Sequence, residues 1–198
     1  MIEQFENIDF RIDVGIANMP DFLRALETKE LAPSMEVQAE EIRDVFCEIP
    51  DLSFDRWKEL GVDQRTTILN QFEQKIASIE MRDAFTVNHE PTRAGLMGYY
   101  DGKKLVISDN LLRKNDYASY REALDTLFHE GRHAYQFYNL DVKRTEQSDE
   151  RFKSWEMNIK ELKYQNSYVH GGFARYYTQP VEVDARLFAE TVIRKLGI

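Results

Sequence analysis

Apolar residues recur every three or four positions through most of the first 85 residues, and few glycines or prolines interrupt them. Met35, Ala39, Ile42 and Phe46 fall at helical spacing. Ser53-Phe-Asp-Arg-Trp57 opens a second helix. A third is expected over residues 62–81, where Ile68, Leu69, Phe72, Ile76 and Ile79 form one apolar stripe. Asp63, just ahead of Gln64-Arg65, is placed to cap it. Residues 1–85 therefore read as a helical N-terminal support region.

The pattern changes near Thr86. Asn88-His89-Glu90-Pro91 is turn-like. Gly95-Leu-Met-Gly-Tyr-Tyr100 and Lys103-Lys-Leu-Val-Ile-Ser108 then flank Asp101-Gly102, the strongest short-range hairpin signal. Asp109-Asn110 closes the second strand. A long helix follows, with Ser119 and Glu122 spaced as a capping box. Its apolar positions run through Ala123, Leu124, Leu127, Phe128, Ala134, Tyr135 and Tyr138. Another helix is expected from about 149 to 163. Tyr164 to Gln179, with Gly171-Gly172, reads as a loop. Pro180 suits the first turn of a last helix that ends near Lys195. Helices, a small antiparallel hairpin and more helices make an α+β protein, mostly helical, in one compact domain.

Charge narrows the partners. The 198 residues carry 26 Lys and Arg against 35 Asp and Glu, a formal charge of −9. Such a surface is poorly suited to phosphate backbones or anionic lipid, so no nucleic acid is expected as a partner. The longest apolar runs, such as Leu105-Val106-Ile107, are far short of the ~20 residues of a membrane span. The N-terminus has neither a basic start nor an apolar core, so the expected location at synthesis is cytoplasmic. The single cysteine excludes an internal disulfide and a multi-cysteine zinc site. Cys47 reads as a small buried apolar residue.

The chemistry concentrates in Phe128-His129-Glu130-Gly131-Arg132-His133. Two histidines four apart on a helix share a face one turn apart, so their imidazoles can converge on one ion. Catalytic zinc takes three protein ligands and leaves one position for water, whose pKa falls to about 7. Glu130 lies beside that face, where it can take the water's proton. Thr126, His129, His133 and Gln136 share a polar face, whereas Leu127, Gly131, Ala134 and Tyr138 form a more apolar one.

A third ligand must come from elsewhere. His170, Glu182, Asp184, Glu190 and the acidic residues of 146–161 are the choices. Glu182 is favoured: it stands in the first turn of the last helix, and Ala185 leaves room for that helix to pack against the histidine-bearing one. Asp184 could instead accept the second ring N–H of a ligand histidine. Arg132 reads as an ion-pair partner for a nearby acidic residue. Tyr135, Tyr138, Tyr164 and Tyr168 read as core or cleft wall.

His129-Glu130-x-x-His133 with Glu182-x-x-Ala185 resembles the zincin metallopeptidases, in the gluzincin-like branch whose third ligand is glutamate. The wider segments around both motifs are similar to metallopeptidase domains of bacterial polymorphic toxins and effectors. The likeness covers roughly residues 86–195, and residues 86–198 are accordingly expected to be a zincin-like metallopeptidase region. Arg186 stands where the family pattern often has an acidic or amide residue, which leaves Asp184 as a candidate partner for the histidines. The resemblance implies an edge strand that holds an extended peptide, drawn from Gly95–Tyr100 or Lys103–Ser108. It also implies an oxyanion donor, for which Tyr176, Tyr177 and His170 are candidates.

The expected function is a zinc-dependent endopeptidase. His129, His133 and Glu182 bind Zn2+, and Glu130 is the general base toward a peptide or protein substrate. The toxin-like resemblance adds an inhibitor or immunity protein as a partner and export by a specialised secretion system. Two other functions share these motifs: a non-enzymatic, zinc-braced interaction domain, and a zinc hydrolase of a non-peptide amide.

Overall fold

The computed structural model describes residues 31–162, 164 and 172–198. These residues are mostly helical around a three-stranded mixed sheet, an α+β architecture. Helix α1 (Met35–Glu48) is followed by a 3-10 turn (Pro50–Leu52), a short α2 (Phe54–Trp57) and α3 (Val62–Ile79). Strands β1 (Thr86–Glu90), β2 (Gly98–Tyr100) and β3 (Lys104–Ser108) precede a one-turn α4 (Asp109–Leu112). Helix α5 (Tyr117–Asp141) spans 25 residues. Helix α6 (Asp149–Glu156) runs on into a π-helical segment (Met157–Glu161), then come α7 (Gly172–Tyr177) and α8 (Pro180–Leu196). No helix among the described residues is long and apolar enough to cross a membrane.

The apolar stripes meet in one core. Ile42 of α1, Leu69 and Phe72 of α3, Leu105 and Ile107 of β3, Leu127 and Phe128 of α5 and Phe188 of α8 are buried together. Phe72 stands edge-on to Phe46 and to Phe128, each pair 5.9 Å between centroids. These edge contacts add to area burial. A second cluster, Ala32, Tyr135, Trp155 and Val181, lies where α5, α6 and α8 meet.

The hairpin is β2–β3, antiparallel, with Tyr99 opposite Val106. At its turn Asp101 Oδ1 accepts from the main-chain N–H of Lys103 and of Lys104, both at 2.9 Å, and Gly102 adopts φ +90°. The turn-like reading of Asn88–Pro91 needs correction. Residues 86–90 are a strand, parallel to β3, so the order is β1-β3-β2. The strand is polar because it is an edge, and Asn70 of α3 seals it. That side chain donates to Val87 O at 2.7 Å and accepts from Val87 N at 2.8 Å.

Several boundaries also shift. Gly61 rather than Asp63 precedes α3, and its N–H donates to Gln64 Oε1 at 2.9 Å. Asp116, not Ser119, caps α5, accepting from Ser119 N at 2.8 Å. Asp109 opens a short helix, α-helical geometry ends at Glu156, and part of the expected 164–179 loop is α7. Cys47 is exposed rather than buried. The portion of the expected helical region before residue 31 lies outside the described residues, as do Tyr168 and Gly171.

Strand β2 is the outer strand beside α5, and it passes very close to that helix. A Cβ at Gly98 would lie 2.4 Å from Val106 O and 2.5 Å from Thr126 Cγ2. The carbonyl cannot move without breaking the ladder. Gly98→Ala is expected to cost ~1–3 kcal/mol, as overpacking does, read as a lowered urea midpoint.

Candidate metal centre

Helix α5 presents His129 and His133 on adjacent turns, and α8 packs along it to bring Glu182 against both. Ala185 is fully buried, so the two helices approach closely where the ligating atoms meet. The ring nitrogens His129 Nε2 and His133 Nε2 are 3.2 Å apart. His129 Nε2 lies 3.4 Å from Glu182 Oε2, and His133 Nε2 lies 3.4 Å from Glu182 Oε1. Ligands bound tetrahedrally at ~2.0–2.1 Å are ~3.3–3.4 Å apart. The imidazole–imidazole separation matches one such edge, and each imidazole faces its own oxygen of the Glu182 carboxylate at the same spacing, an arrangement that could hold a metal ion.

The local electrostatics also call for a cation. Glu182 is fully buried, and its Oε2 accepts no hydrogen bond. Burial opposes ionisation of Glu182, but the two imidazoles and the Tyr164 hydroxyl hold it well below the usual carboxylate range. Burial likewise disfavours a charged His133, yet Glu182 and Glu130 outweigh it and push its pKa up to about 9. Two acceptor nitrogens and a carboxylate facing one another are stabilised by a shared proton or a metal ion. The described residues contain one such cluster, and it could hold a metal ion.

The tautomer of His133 follows from its neighbours. Gln136 Nε2 donates to Val181 O and to Asp184 Oδ2, both at 2.9 Å. Two acceptors there fix the amide orientation, so Gln136 Oε1 must accept from His133 Nδ1 at 2.9 Å. The neutral ring then turns the lone pair of Nε2 toward Glu182 and His129. Asp184 thus does not touch a histidine, as the sequence allowed, but acts one residue removed, through Gln136. It is held in turn by Arg132 Nε at 2.8 Å and Arg151 Nε at 3.2 Å. The glutamine sits three residues after His133 on the same helical face, a spacing visible in the sequence but not assigned a role there.

Arg132 is fully buried. Besides Asp184, it has Glu146 at 3.5 Å, Glu80 at 3.7 Å and Gln38 Oε1 at 3.3 Å. The rings of Tyr135, Trp155 and Phe188 lie 4.4–5.3 Å from its guanidinium.

Glu130 points to the groove rather than to the cluster's floor. Its Oε2 accepts from Tyr100 N at 3.0 Å, joining the middle of α5 to β2. It borders cavities of about 360 and 310 Å³ that flank the histidines on either side. Tyr176 is half-buried and lines both. Burial and then the Glu182 charge raise its phenol pKa. Tyr177 is exposed at the mouth of the smaller cavity, beneath the Arg186 guanidinium. His170 lies outside the described residues. Asp184 and Glu190 are not in the cluster. His89, on β1, pairs with Asp109 Oδ1 at 2.5 Å.

Tyr164 is the residue that sequence reasoning placed only as cleft wall. Its hydroxyl donates to Glu182 Oε1 at 2.6 Å, and burial reinforced by that carboxylate drives its pKa far upward. Nothing in the local sequence signals this contact, because 18 residues separate the partners.

Comparison with protein-family models, with curated proteins and with solved structures finds no match.

Removing the Gln136 contact tests how the centre is oriented. If the cluster holds a metal ion, Gln136→Leu should keep the fold by circular dichroism yet weaken metal binding ~10–100-fold in competition with a chelating dye.

Proposed function

We propose that the chain is a zinc-dependent endopeptidase with a zincin-like arrangement. The observation that carries this reading is the convergence of His129 Nε2 and His133 Nε2, 3.2 Å apart, on the Glu182 carboxylate, each 3.4 Å from one of its two oxygens. Glu130 beside it and an edge strand along the groove support the same reading.

His129, His133 and Glu182 would hold the ion. Zinc bound there supplies a Lewis acid that acidifies water and polarises a carbonyl. The protein's own residues divide the remaining work. Glu130 keeps Oε2 on the Tyr100 amide and offers Oε1 to a water in the groove. It takes one proton from that water and delivers it to the departing amine, while the hydroxyl joins the carbonyl carbon and the C–N bond breaks. Tyr176, which lines the cavities on both sides, is the best-placed phenol to donate to the carbonyl oxygen as charge develops. Tyr164 keeps Glu182 oriented.

Strand β2 supplies the docking edge. Ser108 N donates to Met97 O and Asp101 N to Lys104 O. By the alternation of an antiparallel ladder, the main-chain groups of Gly98 and Tyr100 then face away from β3, and with the Tyr100 N–H given to Glu130 the Gly98 groups and the Tyr100 carbonyl are left for docking. An extended peptide laid there would add a strand.

Metal content and turnover test the assignment together. Protein purified without chelator should carry about one zinc per chain by elemental mass spectrometry, and Glu182→Ala should lose it. Glu130→Gln should retain the metal and lower peptide hydrolysis ~10²–10⁴-fold. Zinc retained in Glu182→Ala would overturn the ligand set, and unchanged turnover in Glu130→Gln would overturn the base. Bound zinc with no peptide cleaved from a broad library would overturn the endopeptidase reading.

A further inference from the structure

The two cavities beside the histidines differ in chemistry. The larger, on the His133 side, is walled mainly by Leu96, Tyr100, Phe137, Ile159 and Val181, with Arg93 also lining it. The smaller, on the His129 side, carries Glu122 and Asp125. Residues 122, 125 and 129 follow at intervals of three and four, so the two carboxylates form one stripe of α5 running from the ligand His129 toward the helix start.

These carboxylates are only partly compensated. Both are half-buried, and neither makes a hydrogen bond or an ion pair with another described residue. His129 and Arg121 act on Asp125 through space in the stabilising sense and Glu190 in the opposite one. Arg186 also lines the pocket, where it donates to Tyr177 O and lies 3.6 Å over the Tyr177 ring, and its positive charge offsets one of the two carboxylates. A divalent ion at the centre is offset by the charges of Glu182 and Glu130. With Arg186 offsetting one more negative charge, Glu122 and Asp125 still leave this half of the groove net negative when the metal is bound. Desolvated anions without a partner gain most from a cation that enters the pocket.

We infer that the smaller cavity takes a lysine or arginine side chain and the larger one a bulky apolar side chain. The substrates would then be peptides in which a basic and a large apolar residue lie on opposite sides of the bond hydrolysed. This rests on the endopeptidase reading and adds Glu122 and Asp125 as specificity-determining residues.

Binding and cleavage separate the two ideas. Zinc-loaded Glu130→Gln protein is titrated, by fluorescence anisotropy, into short peptides with a fixed leucine and either lysine, norleucine or glutamate across the central bond. The lysine peptide should bind roughly tenfold or more tightly than the norleucine peptide, as expected for a charge-assisted contact, and the glutamate peptide weakest. Adding Glu122→Gln and Asp125→Asn, which preserve shape, should erase the lysine preference, and Asp125→Lys should invert it toward glutamate. Changing the peptide's leucine to alanine should weaken binding in every variant. Equal affinity for the lysine and norleucine peptides would overturn the inference, as would a lysine preference that survives neutralisation. Wild-type cleavage of the same set is read separately. A lysine preference in binding without any cleavage keeps the pocket assignment and overturns the endopeptidase reading alone.

Discussion

A guanidinium with no solvent access must be surrounded by acceptors, and Arg132 imposes that demand at the centre of α5, the longest helix among the described residues. Removing one partner from such a buried pair typically costs ~3–5 kcal/mol. Asp184, Glu146 and Glu80 must therefore converge on one point, and they come from α8, the segment ahead of α6 and the end of α3. Arg82 completes the set, binding Glu80 at 2.7 Å and Glu73 at 2.6 and 3.1 Å. The register of α8 against α5 is thus dictated by charge as well as by apolar packing. Shape alone would tolerate a small slide of one helix along the other, whereas Asp184 tolerates little.

That register is what the centre needs. Glu182 lies two residues before Asp184, so the anchor and the ligating carboxylate share one turn of helix. Asp184 also holds Gln136, and Gln136 sets the tautomer of His133. One ion pair in the core therefore governs both the position of the carboxylate and the presentation of an imidazole. Three ligating atoms that repel or frustrate one another without a cation are kept together by stabilisation located several ångströms away.

Much of this was legible in the residues. The helical stripes, the Asp-Gly hairpin and the five-residue motif report local geometry, which local sequence encodes. The helix after Pro180 placed Glu182 in its first turn, and the packing of α8 on α5 brings it to the histidines. What escaped was non-local or carried by polar residues. Strand β1 has one buried apolar side chain, Val87, and depends on Asn70 for its outer hydrogen bonds. No periodicity can reveal such a strand. Cys47 follows Phe46 in an apolar stretch yet lies outward on α1. Tyr164 and the full partner set of Arg132 depend on which distant segments meet. The cap of α5 moved by three residues because Asp116 and Ser119 are both good capping residues, and the earlier one captured the helix.

The contact between Glu130 and β2 is made to a main-chain amide, not to the Tyr100 side chain. Every residue type except proline offers that N–H. Position 100 can therefore drift in size and polarity, reshaping the groove wall where the side chain stands, while the Glu130 carboxylate keeps its anchor. The groove wall and the anchor of Glu130 meet at one residue but are written in different parts of it, which leaves the wall free to evolve without moving the carboxylate.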